Sequence, residues 1–267
     1  MHSDAQILDI ACDDRSTLQR QLNSLYAYQE DLPTKIYHGS RIALFQMLLS
    51  RLIRNGEIGN FETALDIGCN AGFYSKLISD CGFRNVLGID INPAYVGKAD
   101  RAFGSDLPGK RLAFRTVDAT AIPADERYDF ILCTEVIEHT CDPLVVIKSI
   151  MTLLTPGGIA VVSLPNALSL GYLTSYFAAC FKGRGISAEL RDHLKFPFYK
   201  GPLLFRRNGA SILRSAGVNC MFSDRTLLLL HGSPLFDPLN RLNFWLSRRW
   251  PWKYFAQFYF FVVRNEQ

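Results

Sequence analysis

The feature that most constrains this chain is a turn. The run Ala64-Leu-Asp-Ile-Gly-Cys-Asn-Ala-Gly-Phe-Tyr-Ser75 passes from an apolar strand through Gly68-x-Asn70-x-Gly72 into a helix. Glycine lets a backbone bend with positive φ and approach a ligand closely. Asn70 suits the middle position because Asn tolerates left-handed geometry. The N–H groups that open the following helix favour an anionic ligand group.

Around this turn the texture is that of βαβ units, in which short apolar strands alternate with helical stretches and build a parallel sheet. The pattern predicts strands at Thr63–Ile67, Asn85–Ile89, Leu112–Val117, Tyr128–Cys133 and Gly158–Leu164. Helices are expected near Gly72–Asp80, Pro93–Phe103 and Pro143–Leu154. Asn92-Pro93 is a cap followed by a first-turn proline. Residues 1–60 read as helical, with Ser40 a cap for Ile42, Phe45, Leu48, Leu49, Leu52 and Ile53, and Gly56 a stop. Beyond Pro165 the expectation is a helix over Ala167–Lys182, a loop Gly183–Gly201 and a helix Pro202–Ala216 stopped by Gly217. Two β-rich runs, Val218–Leu230 and Gln257–Arg264, would form a hairpin with a helix near Phe236–Arg249 inserted. The domain reading is one unit over 1–267. It has a helical extension to residue 60, a cofactor-binding core over 61–165, and substrate-side insertions with the closing hairpin over 166–267.

Three carboxylates accompany the turn. Asp66 precedes its first glycine by two residues, Asp90 closes the second strand and Asp118 closes the third. Open α/β sheets bind ligands at these carboxyl ends. The set suits S-adenosylmethionine. Its ammonium wants an acceptor such as Asp66, its ribose hydroxyls can donate together to Asp90, and its adenine amino group can donate to Asp118. A dinucleotide would need a pyrophosphate cradle and a third glycine three positions past the second, where Phe73 stands.

The order Leu65-Asp-Ile-Gly-Cys-Asn-Ala-Gly72, Gly88-Ile-Asp90, Asp118-Ala119, Tyr128-Asp-Phe-Ile-Leu-Cys-Thr-Glu-Val-Ile-Glu-His139 and Leu154-Thr-Pro-Gly-Gly158 resembles the class I S-adenosylmethionine-dependent methyltransferases. The likeness covers roughly residues 37 to 165 and the final hairpin. It implies an α/β, Rossmann-like, seven-stranded, mostly parallel sheet with an antiparallel last strand and helices on both faces. Asn70 stands where many members have glycine. The candidate cofactor-binding residues are then Asp66, Gly68, Cys69, Asn70, Gly72, Asp90, Ile91, Asp118, Ala119, Thr134 and Glu135.

The pentad Glu135-Val-Ile-Glu-His139 is similar to that of ubiquinone-type O-methyltransferases. His139 is the candidate catalytic base, since its titration range suits proton removal from a hydroxyl. The pentad also resembles that of small-RNA 2′-O-methyltransferases, which use it with a later histidine to hold a divalent metal. On that likeness Glu135, Glu138, His139 and His193 are the candidate ligands. The pentad serves equally as a metal-free helix cap.

Three segments, 25–45, 166–201 and 231–255, are candidates for choosing the acceptor, with Tyr37, His38 and Arg41 able to close over the site. Trp245, Trp250 and Trp252 fall within eight residues and are interleaved with Arg241, Arg248, Arg249 and Lys253. Core packing, an apolar lid, or peripheral membrane contact through 236–255 are the open readings of that segment.

Composition narrows the partners. A net charge of +4 over 267 residues gives little support to nucleic acid. Seven cysteines without a C-x-x-C pair read as free thiols of a reducing, cytoplasmic compartment. Met1–Ala11 lacks the pattern of a secretory signal, and no transmembrane segment is expected. The expected activity is methyl transfer to a hydroxyl of a small-molecule, glycan or lipid-linked acceptor. The alternatives are an RNA 2′-O-methyltransferase with a divalent metal, a non-catalytic module that binds the cofactor, and a nicotinamide oxidoreductase.

Overall fold

The computed structural model describes residues 32–181, 187–221, 229–230 and 233–266. Helix α1 (Leu32–Arg54) leads into β1 (Thr63–Ile67), α2 (Phe73–Asp80), β2 (Asn85–Asp90) and α3 (Pro93–Phe103). A short β3 (Ser105–Leu107) turns into β4 (Lys110–Thr116), followed by β5 (Tyr128–Thr134), α4 (Pro143–Leu153) and β6 (Leu154–Pro165). Then come α5 (Leu170–Phe181), α6 (Ala188–His193), α7 (Lys200–Arg207), β7 (Ala210–Val218), α8 (Phe236–Leu246) and β8 (Phe258–Asn265).

The strands form one sheet in the order β3-β4-β2-β1-β5-β6-β8-β7. The run from β4 to β6 is parallel, β3 is antiparallel to β4, and β8 is antiparallel to both β6 and β7. This is the expected Rossmann-like arrangement with eight strands in place of seven. The addition is β3, three exposed residues folded back on β4 through Gly109 at φ +76°.

Side chains alternate between two cores, as a sheet covered on both faces requires. Phe130, Leu132, Ile159, Val161, Phe260 and Val262 point to the face that α1 and α2 cover. Ile131, Cys133, Ala160, Val162, Phe261 and Val263 point to the face that α4 and Phe205 of α7 cover. Asn92 caps α3 by accepting from the Ala94 N–H (3.0 Å), and Asp142 caps α4 by accepting from the Leu144 N–H (2.9 Å). Proline follows each cap, where its missing donor costs nothing.

The strands and helices of residues 63–165 lie within a few residues of their sequence-based positions. Three expectations beyond them are corrected. Ser40 lies inside α1, which begins at Leu32, so it caps nothing. The loop expected over 183–201 contains α6 and the start of α7. The helix expected over Pro202–Ala216 stops at Arg207, and Ala210–Val218 is a strand. The stop is Gly209 at φ +89°, after which the chain pairs with β8 and extends the sheet. The closing hairpin is thus β7 with β8. The stretch 222–228, part of the β-rich run Val218–Leu230, lies outside the described residues, as does residues 1–31 of the N-terminal extension. Among the described residues no helix is long and apolar enough to cross a membrane.

Candidate active site

A cavity of about 720 Å³ lies at the carboxyl ends of β1, β2 and β5, roofed by α1. Ligand pockets fall in the range of about 300–1,000 Å³. The glycine turn makes its floor. Gly68, Asn70 and Gly72 all have positive φ (74°, 46° and 84°). The Gly68 and Cys69 N–H groups donate to the Ile89 carbonyl at 2.8 Å each, which ties the turn to β2. A Cβ on Gly68 would stand 2.3 Å from a methyl carbon of Val136, so this bend and the pentad are packed against each other.

Asp90 is held by two backbone donors, the Asn70 N–H at 3.0 Å and the Asn92 N–H at 2.9 Å, one on each oxygen. A carboxylate has about four lone-pair positions, so it retains capacity toward the cavity. Asp118 accepts at one oxygen from the Thr120 N–H (2.8 Å) and hydroxyl (2.7 Å). Those bonds hold its carboxyl below the usual range.

Nine of the eleven candidate cofactor residues line this cavity: Gly68, Cys69, Asn70, Asp90, Ile91, Asp118, Ala119, Thr134 and Glu135. Two do not. Gly72 is occupied with packing, since a Cβ there would meet Ala99 and Phe114 at 2.9 Å. Asp66 is 1% exposed beneath the floor. One of its oxygens accepts from the Ser75 hydroxyl at 2.6 Å and the other has no hydrogen-bond partner. Burial raises this carboxyl to about 7, against the opposing Ser75 bond.

The pentad forms the far wall. Glu135 sits at φ +55°, a backbone state that non-glycine residues adopt at some cost. Its carboxyl accepts from the Ser163 hydroxyl at 2.8 Å. Burial pushes it up, while Arg41 and Ser163 oppose the rise. Arg41, on α1, is 4% exposed and stacks its guanidinium 4.3 Å over the Phe258 ring. Arg41 and Ile42 reach the cavity; the side chains of Tyr37 and His38 lie outside the described part of α1.

His139 lines the cavity with its side chain 48% exposed. Its Nδ1 lies 3.6 Å from a carboxylate oxygen of Asp192 on α6, and its Nε2 lies 3.9 Å from Glu138. Glu138 is fully buried with neither oxygen hydrogen-bonded, and burial followed by the nearby Glu135 drives its carboxyl well above the usual range. His193 is 7% exposed and packs edge-on between the His139 ring (6.0 Å) and Tyr172 (4.9 Å). Glu138 and His193 are not among the residues that line the cavity. Among the described residues no three His, Cys, Asp or Glu side chains form a group that could hold a metal. The four metal candidates do not fit a metal ion as they stand.

Several lining residues escaped the sequence reading. Thr140, Cys141 and Asp142 carry the wall from the pentad into α4, and Ser163 anchors Glu135 from the neighbouring strand. The helix expected from Pro143 begins where that wall ends. Nothing local marked Ser163, which depends on the β5–β6 register pairing Thr134 with it.

Among described lining residues, Asp90, Asp118, Glu135 and Asp142 outnumber the guanidinium of Arg41. A ligand bearing positive charge matches that balance.

A methyltransferase domain profile matches residues 37–229. Ubiquinone biosynthesis O-methyltransferase from Paraburkholderia phytofirmans is 31% identical over 137 residues, covering 51% of this chain and 58% of the relative. The protein of the same name from Aeromonas salmonicida is 32% identical over 134 residues, 49% of this chain and 55% of the relative. The alignments span little more than half of either relative. Magnesium protoporphyrin IX methyltransferase from Synechocystis, solved with bound SAH, shares the fold at a TM-score of 0.61. It is 17% identical over 94% of this chain and 95% of that one. With the profile spanning well over half of its length, this chain belongs to the methyltransferase domain family.

Proposed function

We propose that the chain, as one domain over 1–267, is an S-adenosylmethionine-dependent methyltransferase acting on a hydroxyl of a small-molecule, glycan or lipid-linked acceptor. The observation that carries this reading is convergence: a left-handed turn and the two strand-end carboxylates Asp90 and Asp118 open on one cavity with His139 at its rim.

The residues present fit the cofactor. Asp90 would take the ribose hydroxyls and Asp118 the adenine amino group. The start of α2 has no side-chain cap and would face the amino-acid carboxylate. The unpartnered Asp66 oxygen is a buried acceptor suited to an ammonium or its water-mediated contact. When bound, S-adenosylmethionine supplies an electrophilic methyl group on a sulfonium sulfur. Glu135, Asp90 and the turn position and desolvate, which is where much of such a rate enhancement arises. His139, reachable from the cavity and flanked by Asp192, takes the proton from the acceptor hydroxyl.

Similarity to ubiquinone O-methyltransferases supports oxygen as the acceptor atom. The RNA reading requires the pentad and His193 to gather as ligands, and the described residues do not do so. The free thiols, six of them among the described residues, support a reducing, cytoplasmic setting.

Isothermal titration tests the reading. S-adenosylmethionine should bind where NAD does not, and Asp90→Ala should weaken it by about 1–3 kcal/mol, the range for losing a charged hydrogen-bond partner. Silence with S-adenosylmethionine, or equal binding by the variant, would remove the cofactor assignment. Labelled methyl transfer to hydroxyl and amine acceptors then decides the acceptor atom.

A further inference from the structure

We propose that residues 238–255, between β7 and β8, form a docking surface for an anionic lipid membrane. All three tryptophans of the chain lie there, and they point outward: Trp245 is 46% exposed, Trp250 77% and Trp252 41%. None of the three lines the cavity, and all three are exposed, so of the three readings the sequence leaves open for this segment, lid and core packing have no support from the tryptophans.

Helix α8 is inverted relative to an ordinary surface helix, which keeps its polar side toward water. Its inner side carries polar anchors beside Phe244, which packs against the core. Asn243 is fully buried and accepts from the Met221 N–H at 2.9 Å. Ser247, just past the helix, is buried, accepts from the Cys220 N–H at 2.9 Å, and offers its carbonyl to the Gly217 N–H at 3.0 Å. The outer side carries Leu242 (43% exposed) and Trp245, continued by Trp250. Exposing apolar area on a fixed platform costs free energy in water, so such a patch marks a contact surface.

Charge selects the occupant. The stretch 238–255 holds Arg241, Arg248, Arg249 and Lys253 and no acidic residue, which accounts for the whole +4 excess of the chain. The Arg249 guanidinium lies 4.0 Å over the Trp245 ring. Neither Arg241 nor Arg249 has a carboxylate partner among the described residues. Exposed indoles with arginine beside them match the boundary between acyl chains and anionic headgroups, where tryptophan rings settle.

Topology gives the contact a use. Val218 at the end of β7 pairs with Phe258 at the start of β8, and Phe258 pairs with Pro165 at the end of β6. The segment therefore leaves and re-enters the sheet at the end where the cavity opens. Docking would turn that end toward the lipid and suit an acceptor held in the membrane.

Because the three tryptophans all sit on this surface, intrinsic fluorescence of the full chain reports on it directly. Vesicles of phosphatidylcholine mixed with phosphatidylserine should shift the emission to the blue and carry the protein down on sedimentation. Phosphatidylcholine alone should do neither, and added salt should weaken the binding. Arg241→Gln with Arg249→Gln should lower partitioning by about tenfold or more, at roughly 1 kcal/mol per basic residue near an anionic surface. Trp250→Ala should lower it further. S-adenosylmethionine affinity should be unchanged in these variants, which separates loss of docking from loss of fold or of the cofactor reading. Three results would overturn the proposal: equal partitioning onto both vesicle types, a blue shift that follows protein concentration without lipid, or a response to single-stranded RNA but not to vesicles.

Discussion

Two regions of the chain, residues 63–165 and residues 166–257, are held together differently. In residues 63–165 four polar side chains are fixed by donors two residues away, Asp118 by Thr120, Asp142 by Leu144, Asn92 by Ala94 and Asp90 by Asn92, while Asp90 also accepts from Asn70 and Glu135 from Ser163. In residues 166–257 the fixing bonds cross long stretches of chain. Asn166 donates to the carbonyls of Tyr254 (2.8 Å) and Ala256 (2.9 Å) and accepts from the N–H groups of Leu168 (3.1 Å) and Phe198 (3.0 Å). Residues 63–165 thus carry several local devices on a sheet, whereas residues 166–257 are tied together across long stretches by Asn166. Changes in the first should act singly; changes in the second should propagate within it.

The largest expected effect tests the first region at Asp66. Its folded carboxyl sits near 7, above the ordinary value of 3.8, because burial disfavours the charge. The folded state therefore binds the proton more tightly than the unfolded chain. The resulting stability is full below about pH 4 and is lost as pH rises through about 7, amounting to up to about 4 kcal/mol at ~1.4 kcal/mol per unit. Asp66→Asn keeps the Ser75 contact and removes the titration. Denaturant unfolding of the cofactor-free protein should show the variant gaining on wild type between those pH values. Bound S-adenosylmethionine should shrink that gain by supplying a cation. A difference that stays flat with pH would mean the carboxyl is solvated, and the local account of this region would fail.

Asn166→Ala tests the second region. It strands two carbonyls and two N–H groups in the interior, and the expected loss is about 3 kcal/mol. Urea midpoints should fall. S-adenosylmethionine affinity should hold, while the acceptor KM rises because α5 to α7 shift together. Cofactor affinity falling in step with stability would merge the two regions into one cooperative unit.

That contrast also explains what could be read from the sequence. Local devices leave local marks: Asn92-Pro93 marks the start of α3, and the Gly68-x-Asn70 bend with the strand-end residues Asp90 and Asp118 marks the cavity floor. Gly72 belongs to the same pattern, but the packing that requires its glycine comes from Ala99 and Phe114, residues brought there only by folding. The misread region is the tied one. Leu203, Leu204 and Phe205 begin a helix, and Ile212 and Leu213 continue an apolar rhythm compatible with one. Asn208-Gly209 was the available stop signal. Pairing with β8, 51 residues away at Ile212↔Val263, is invisible locally and decides the strand. The outward tryptophans belong to the same class, because their direction is set by the inner anchors Asn243 and Ser247.

The smallest expected effect is that of Asp192, where the two regions meet. His139 belongs to the first region, and Asp192 reaches it from α6 across the boundary. At 3.6 Å this is an ion-pair distance, longer than a hydrogen bond. Asp192 is held below the usual carboxylate range first by Lys195, 2.7 Å away, and then by His139. Held as a carboxylate by Lys195, it biases the orientation of the His139 ring. His139→Ala should lower turnover by about 10²–10⁴, the span for a lost general base, with cofactor affinity intact. Asp192→Asn should lower turnover only a few-fold, as expected of an exposed charge pair. Asp192→Glu should restore the rate. A purely structural Asp192 would change stability and leave turnover in place. In the double variant His139→Ala with Asp192→Asn, the second change should have no further effect on turnover, because its only route to the chemistry is the imidazole. An additive loss would give Asp192 a contact of its own with the acceptor and would move the boundary between the regions into the cavity.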